Sequence, residues 1–176
     1  MDFIWYEKIS NSDLIEQGDL IPNCPIIIPP SSLIEYAEVE LEVTLINSIV
    51  LSQSCDLRNN KIQIALVCPY IFLKDFVENL DDRNPKSVKK TIDNLKKGHM
   101  PGYHLLNKSI ENDISDFIVV DFRNVYGIHI NSLKSLISNI DNRQRLLPPY
   151  REHLSQSFAR FFMRVGLPQD IEIEGY

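Results

Sequence analysis

Residues 52–56, Ser-Gln-Ser-Cys-Asp, place two hydroxyls, an amide, a thiol and a carboxylate in five consecutive positions. They follow an apolar run that predicts a short buried strand, and functional residues are often found where a strand ends. In a thiol-dependent enzyme, Cys55 would be the nucleophile beside Asp56, with His104 or His153 as its base. The candidate binding residues of the segment are Ser52, Gln53 and Ser54.

A structural interpretation of the same segment competes with this one. Cys55 would pack inward, while the Ser54 hydroxyl and the Asp56 carboxylate bond to the backbone of the turn. The sequence favours the structural interpretation, because a single cysteine without a flanking family signature is common in proteins.

Asp121 and Arg123 form a second candidate site. They lie two residues apart on a strand predicted over residues 117–125, so their side chains share one face and could meet Asp56 or the arginines of the last helix. A buried carboxylate with an arginine partner is more often an architectural ion pair than a catalytic one. The two roles overlap when the pair lies in a cleft.

Basic residues are distributed unevenly along the chain. Residues 83–108 contain seven basic residues and one acid, so this segment carries +6 and the remainder of the chain −12. Such a patch attracts anions such as RNA phosphates, although most charged helix faces are simply solvated. The candidate binding residues are Lys89, Lys90, Lys96 and Lys97 in this segment, with Arg160 and Arg164 nearer the C-terminus.

Composition excludes several classes of protein. A net charge of −6 argues against nucleic-acid binding over the whole surface. The three cysteines have no close pair and the histidines no ligand spacing, so neither a disulfide framework nor a metal site is expected. The absence of a glycine-rich phosphate loop predicts no nucleotide cofactor. Without a signal peptide or a spanning apolar segment, the chain is expected to be cytoplasmic and independent of membranes.

The chain is expected to form one β-rich domain over residues 1–176. Alternating apolar and acidic residues predict a half-exposed strand over residues 36–45, and an apolar run predicts a buried strand over residues 62–69. Residues 4–19 are predicted to be an irregular lead-in to the first strand.

Helical spacing appears in three places. It predicts a basic helical insertion over residues 75–100, a short helix over residues 132–140 and a C-terminal amphipathic helix over residues 148–166. An apolar stripe predicts that the last helix packs on the strands; it consists of Leu154, Phe158, Phe161, Phe162 and Val165.

Four short segments occur in an order that resembles the MazF/PemK family of toxin endoribonucleases. They are Gly18-Asp19-Leu20-Ile21, Ile49-Val50-Leu51-Ser52, Ala65-Leu66-Val67-Cys68-Pro69 and Ile118-Val119-Val120-Asp121. The resemblance implies a small SH3-like β-barrel, which makes the expected fold α+β, with the helical insertion and the C-terminal helix added to the barrel. It covers the barrel portion only.

This sequence departs from the family pattern at the expected catalytic positions. The Arg-Pro that the family carries before its second strand falls on Asn47-Ser48, and the Ser/Thr after the later proline falls near Tyr70-Ile71. The missing arginine would stabilise the cleaved phosphate. The resemblance therefore implies a protein of a bacterial toxin–antitoxin or antiviral defence locus that acts on or near RNA and is catalytically degenerate.

Two alternatives remain open from the sequence. One is a non-enzymatic interaction module whose acidic remainder docks a larger protein partner, and the other is the thiol-dependent enzyme centred on Cys55. The sequence does not fix the oligomeric state.

Overall fold

Antiparallel strands and short helices make up the structure, a computed structural model that describes residues 4–30 and 41–163. The strands are β1 (Tyr6–Ser10), β2 (Asp19–Ile28), β3 (Glu42–Val50), β4 (Ile64–Phe72), β5 (Tyr103–Leu106), β6 (Ile118–Asp121), β7 (Tyr126–His129) and β8 (Asn142–Leu146). The α-helices are α1 (Ser54–Arg58), α2 (Leu73–Glu78), α3 (Pro85–Lys96), α4 (Ile130–Ser138) and α5 (Tyr150–Phe162).

The eight strands form one sheet in the order β1-β8-β2-β3-β4-β6-β5, with β7 also paired to β4. The predicted α+β class is confirmed. A closed small barrel is not confirmed, because within the described residues β1 and β5 lie at opposite ends of the ladder and the sheet stays open. β4 pairs with β3 and β7 along its first part and with β6 through its last three residues.

Three apolar clusters hold the helices to this sheet. α5 packs on the first cluster through Leu154, which is fully buried. α4 covers the second through Leu133 and Ile137. α2 and α3 cover the third through Phe76 and Leu95, which lie against Val119 of β6.

The two helices α2 and α3 occupy most of the segment in which the basic insertion was predicted. α3 begins after Asn84, whose side-chain oxygen accepts a hydrogen bond from the Lys86 backbone nitrogen at 3.0 Å. Pro85 stands at the first helical position, where its missing N–H costs no helical bond. Within the described ranges, no helix combines the length and the apolar character that crossing a bilayer requires.

The beginning of the chain differs from the prediction. The expected irregular lead-in contains β1, which pairs antiparallel with β8 from Tyr6 opposite Leu146 to Ser10 opposite Asn142. β3 begins at Glu42, and the preceding part of the predicted strand, residues 36–40, lies outside the described residues.

The apolar stripe of α5 is only partly buried. Leu154 is inaccessible, while Phe158 and Phe161 are half-buried and lie 5.5 and 6.3 Å from the ring of Phe122. Phe162 is 61% exposed, so its predicted place in the buried stripe is wrong. Val165 lies outside the described residues.

Candidate functional site

A polar cleft of about 350 Å³ opens between α1 and α5, and we call it the Cys55 cleft. Its lining consists of polar and charged side chains: Gln17, Gln53, Ser54, Cys55, Arg151, Glu152, Ser155 and Gln156. The exposed Cys55 thiol lies at this cleft and donates to Asp56 Oδ1 at 3.6 Å.

The hydroxyl and amide side chains of residues 52–54 hold neighbouring elements in place. The Leu66 backbone nitrogen donates to Ser52 Oγ at 2.8 Å, and the Gln17 backbone nitrogen donates to Ser54 Oγ at 3.1 Å. Gln53 Nε2 donates to Ser155 Oγ of α5 at 3.1 Å. These three side chains therefore have structural partners. The structural interpretation is wrong for Cys55, which is exposed and does not pack inward, and the Asp56 carboxylate contacts Cys55 Sγ and Lys61 Nζ instead of the turn backbone.

The two histidines suggested as a base for Cys55 contact each other. The His104 and His153 ring centroids are 6.3 Å apart, and the His104 ring stacks on Phe122 at 6.1 Å. Burial, with a smaller contribution from His153, lowers the pKa of His104 to about 4. Neither imidazole lines the Cys55 cleft, so the described residues do not assemble a Cys–His pair there.

Below the Cys55 cleft lies a buried ion-pair network that sequence reasoning missed, here called the Asp19 cluster (Glu16, Asp19, Arg143 and Arg145). Asp19 is fully buried at the start of β2. It accepts from Arg143 Nε at 2.9 Å and from Arg145 Nε at 2.5 Å, both on β8. The Nη atoms of Arg143 donate to backbone carbonyls of the loop after β1, which satisfies that guanidinium.

Glu16 connects this cluster to the Cys55 cleft. It pairs with Arg58 of α1, with Arg145 Nη1 at 3.2 Å and with Arg151 Nη1 of α5 at 3.4 Å. Burial alone raises the pKa of the Glu16 carboxyl, but the Arg58 hydrogen bond and the nearby guanidinium charges outweigh it and hold the pKa below its ordinary value. The network thus fastens α1 and α5 to the sheet.

Gly18 fixes the entry of the chain into this cluster. Its φ is +88°, a backbone conformation that side chains disfavour, and an added Cβ would lie 3.1 Å from Leu146 Cβ. The Gly-Asp pair and the alternation of Arg143 and Arg145 were visible in the sequence. Together they could have indicated a carboxylate facing two arginines across paired strands.

The second predicted site, Asp121 and Arg123, lies at a cleft of about 320 Å³ between α2 and the β5–β6 edge, here called the Arg123 cleft. Arg123 donates to Asp121 from Nε at 2.9 Å and from Nη2 at 2.8 Å. The guanidinium also lies over the ring of Tyr103, 4.5 Å from its centroid. Gly102 permits this placement, because a Cβ there would lie 3.2 Å from Arg123 Cγ.

The carboxylate of Asp121 accepts hydrogen bonds from several groups of its own turn. It also accepts from the Arg123 backbone nitrogen at 3.0 Å and from Asn124 Nδ2 at 3.1 Å. Burial raises the pKa of the Asp121 carboxyl, but the hydrogen bonds from Arg123 prevail and the pKa falls below its ordinary value. The expected contact with Asp56 or with arginines of α5 is not made, since Asp121 is paired within its own turn.

The four predicted lysines lie together with Lys86 on one exposed face of α3 and its C-terminal cap, and we call this the lysine face. At about 100° per residue, its members fall within an arc of about 120° opposite the buried Leu95. They are Lys86, Lys89, Lys90, Lys96 and Lys97, all exposed. None of them forms an ion pair with another described residue.

Of the two predicted arginines of the C-terminal segment, Arg160 is not part of either cleft lining. Arg160 is exposed on α5, and Arg164 lies outside the described residues. Within residues 4–30 and 41–163, no three His, Cys, Asp or Glu side chains form a group that could hold a metal ion. Comparison of the sequence with protein-family models and with curated proteins finds no match.

Proposed function

We propose that the protein binds single-stranded RNA through the lysine face, as a catalytically degenerate, MazF/PemK-like small-barrel protein of a toxin–antitoxin or antiviral defence locus. The observation that carries the proposal is the set of five exposed lysines without ion-pair partners among the described residues. A lysine already paired to a carboxylate would contribute little binding free energy on contacting a phosphate, because it would have to give up that partner. An unpaired lysine contributes through the counterions that are released when it binds RNA.

The distribution of charge supports this location. The segment that contains α3 carries +6 on a chain of net charge −6, so a polyanion is attracted to this side and repelled elsewhere. The lysine face extends over about 16 Å, from Lys86 to Lys97, which is long enough to follow several phosphates of one strand.

The proposed lack of cleavage has support at the position of the family's Arg-Pro, which Asn47 and Ser48 occupy in this chain. Asn47 accepts a hydrogen bond from the Asn23 backbone nitrogen at 3.3 Å, and Ser48 is fully buried. Neither can supply the guanidinium that the family carries there. A small barrel remains part of the proposal, supported by the antiparallel β2–β3–β4 run and by the change of partner along β4, which pairs with β3 and β7 and then with β6, as strands do in strongly bent sheets.

Fluorescence anisotropy with a labelled, unstructured 12-nucleotide RNA tests the proposal. The slope of log affinity against log salt should flatten by about 2 when Lys89, Lys90 and Lys97 are replaced by glutamine, since each phosphate contact contributes roughly 0.7. The matched control replaces Lys8, Lys61 and Lys134, which lie elsewhere, and should leave the slope unchanged. Absence of binding at 50 mM salt (roughly the low end of such titrations), or equal effects of the two triple variants, would contradict it.

A second candidate function, docking of a larger protein, is favoured by the projecting part of the β2–β3 ribbon. Ile27, Val43 and Leu45 are 58, 59 and 63% exposed. Ile27 pairs directly with Val43, and Pro25 with Leu45, so these side chains lie on one face. Contiguous apolar surface of this kind often marks an interface.

The negative charge around the ribbon indicates which kind of partner it would bind. Glu42 is exposed at the start of β3, and the chain outside residues 83–108 carries −12. The second proposal therefore commits to a partner segment with apolar side chains and a basic rim.

Calorimetric titration of the isolated partner distinguishes specific binding at this surface from non-specific hydrophobic association. Val43→Asp with Leu45→Asp should abolish binding, while Ile4→Asp with Leu14→Asp, at equally exposed apolar positions, should not. Equal losses would contradict the proposal. Concentration-dependent sedimentation of the protein alone that is removed by the first pair would assign the ribbon to a second copy of this chain instead.

A further inference from the structure

The Arg123 cleft lies beside the buried side of α3, the helix whose opposite side carries the lysine face. Leu95, on the buried side of α3, lies in the same apolar cluster as Phe76, Leu80 and Tyr103, and these three residues also line the cleft. The cleft has a volume of about 320 Å³, within the size range of small-ligand sites, and an RNA strand bound to the lysine face would reach it by passing around α3.

Arg123 is held in place with part of its guanidinium unused. Its two side-chain hydrogen bonds to Asp121 use Nε and Nη2, and Nη1 donates to no described residue. Asp121 orients the guanidinium and Tyr103 supports one of its planar faces. An immobilised guanidinium plane is a common platform for an unstacked nucleobase.

Two amides at the cleft can read the edge of such a base. Asn124 uses its Nδ2 on Asp121 and keeps Oδ1 as an acceptor. The side chain of Asn79, at the end of α2, makes no hydrogen bond to another described residue and can both donate and accept. The remaining wall is apolar, formed by residues such as Phe76 and Leu80.

An architectural role alone accounts poorly for this arrangement. The Arg123 side chain is 55% exposed, and an ion pair at such a site contributes about 1 kcal/mol of stability or less. A carboxylate that accepts two hydrogen bonds from one exposed guanidinium, and is itself held by the Arg123 backbone nitrogen and by Asn124, is better suited to presenting that guanidinium to a ligand.

We propose that the Arg123 cleft holds one unpaired base of the bound RNA, stacked on the Arg123 guanidinium and hydrogen-bonded by Asn79 and Asn124. This inference rests on the proposed RNA binding and specifies its base contact. The lysine face supplies affinity without regard to sequence, whereas the cleft fixes the register of the strand.

A thermodynamic cycle tests the cleft. Ten-nucleotide RNAs, each with one abasic position, are titrated against the wild type and against Arg123→Lys, which keeps the charge and the Asp121 partner but loses the planar face. One abasic position should weaken wild-type binding roughly 10-fold, the level of one stacked base. The same change should have little effect on Arg123→Lys, and the salt slope should be equal for both proteins.

The outcomes separate the two proposals. In one outcome, the intact RNA binds with a salt slope that depends on the lysines, but no abasic position weakens binding. In another, an abasic position weakens binding to the wild type and to Arg123→Lys equally. Either result contradicts the proposed base contact and leaves RNA binding by the lysine face supported. If the wild type binds no RNA, the proposed function itself is wrong.

Asn79→Ala gives a second measurement at an exposed position, and it should alter the preference among oligo(A), oligo(C) and oligo(U) without changing the salt slope.

Discussion

The Asp19 cluster and the Arg123 cleft are built from the same chemical pair, a carboxylate with a guanidinium, yet they differ in what remains available. Asp19 is inaccessible and the donors of Arg143 are spent on Asp19 and backbone carbonyls. Arg123 is more than half exposed and keeps Nη1. Burial and unused donors, more than residue identity, separate an architectural ion pair from a ligand site.

The sharpest test of this contrast replaces each carboxylate by its amide. Asp19→Asn leaves the buried Arg143 without a counter-charge, while Arg145 keeps Glu16, and it should lower the free energy of unfolding by about 3 to 5 kcal/mol. Asp121→Asn should lower it by about 1 kcal/mol or less, because its partner is exposed. Urea denaturation followed by circular dichroism measures both, and similar losses would erase the distinction.

α5 joins the two regions, with Arg151 at the Asp19 cluster and Phe161 near the Arg123 cleft. Leu154→Ala should cost about 2 to 5 kcal/mol, since the side chain is fully buried. Phe162→Ala is the matched control on the same helix and should cost under about 0.5 kcal/mol. A large loss from Phe162→Ala would mean that its ring contacts with Phe158 and Phe161 stabilise the fold more than its exposure suggests.

Acid should weaken the attachment of α5 to β5. Because the folded-state pKa of His104 is lowered to about 4, the unfolded chain binds a proton near pH 6.5 while the folded chain does not. Stability is therefore complete above about pH 6.5 and declines toward pH 4, by up to about 3 kcal/mol.

Stability curves from pH 7 to pH 4 (about the span between the two pKa values) check this expectation. His104→Gln should flatten the decline, and the exposed His99→Gln should leave it unchanged. If the decline persists in full without His104, burial of this imidazole is not its source.

The smallest expected effect concerns the thiol above the Asp19 cluster. Cys55 is exposed, whereas burial raises the pKa of both the Cys24 and Cys68 thiols. Iodoacetamide should thus label Cys55 first, at a rate within about tenfold of a small free thiol. A much faster rate would favour the thiol enzyme and give the Cys55 cleft more than a structural role.

Local patterns in the sequence were sufficient to predict the helices whose apolar residues recur at regular spacing. α3 has a capping asparagine, a first-turn proline and an apolar stripe, and α4 follows a clear 3.6-residue period. The pairing of β1 with β8 could not be found in this way, because its partners are more than 130 residues apart and β8 carries buried arginines that resemble a polar loop.

The candidate sites also differ in whether their residues are close together or far apart in the sequence. Asp121 and Arg123 were found because they are two residues apart in the sequence, although the predicted strand is wrong for Arg123, which lies in the turn after β6. The role of Asp19 was missed because its charge is balanced only by side chains distant in sequence, and the Tyr103 platform because a cation–π contact leaves no spacing pattern.

β4 is shared by both halves of the sheet, which has a consequence for cooperativity. Because it pairs with β3 and β7 and then with β6, neither half can open without breaking part of the same strand. Amide protons of β6 should accordingly exchange with solvent only through the global unfolding that exposes β3. A substitution at Asp19 would then accelerate hydrogen exchange on the far side of the molecule, beside the Arg123 cleft.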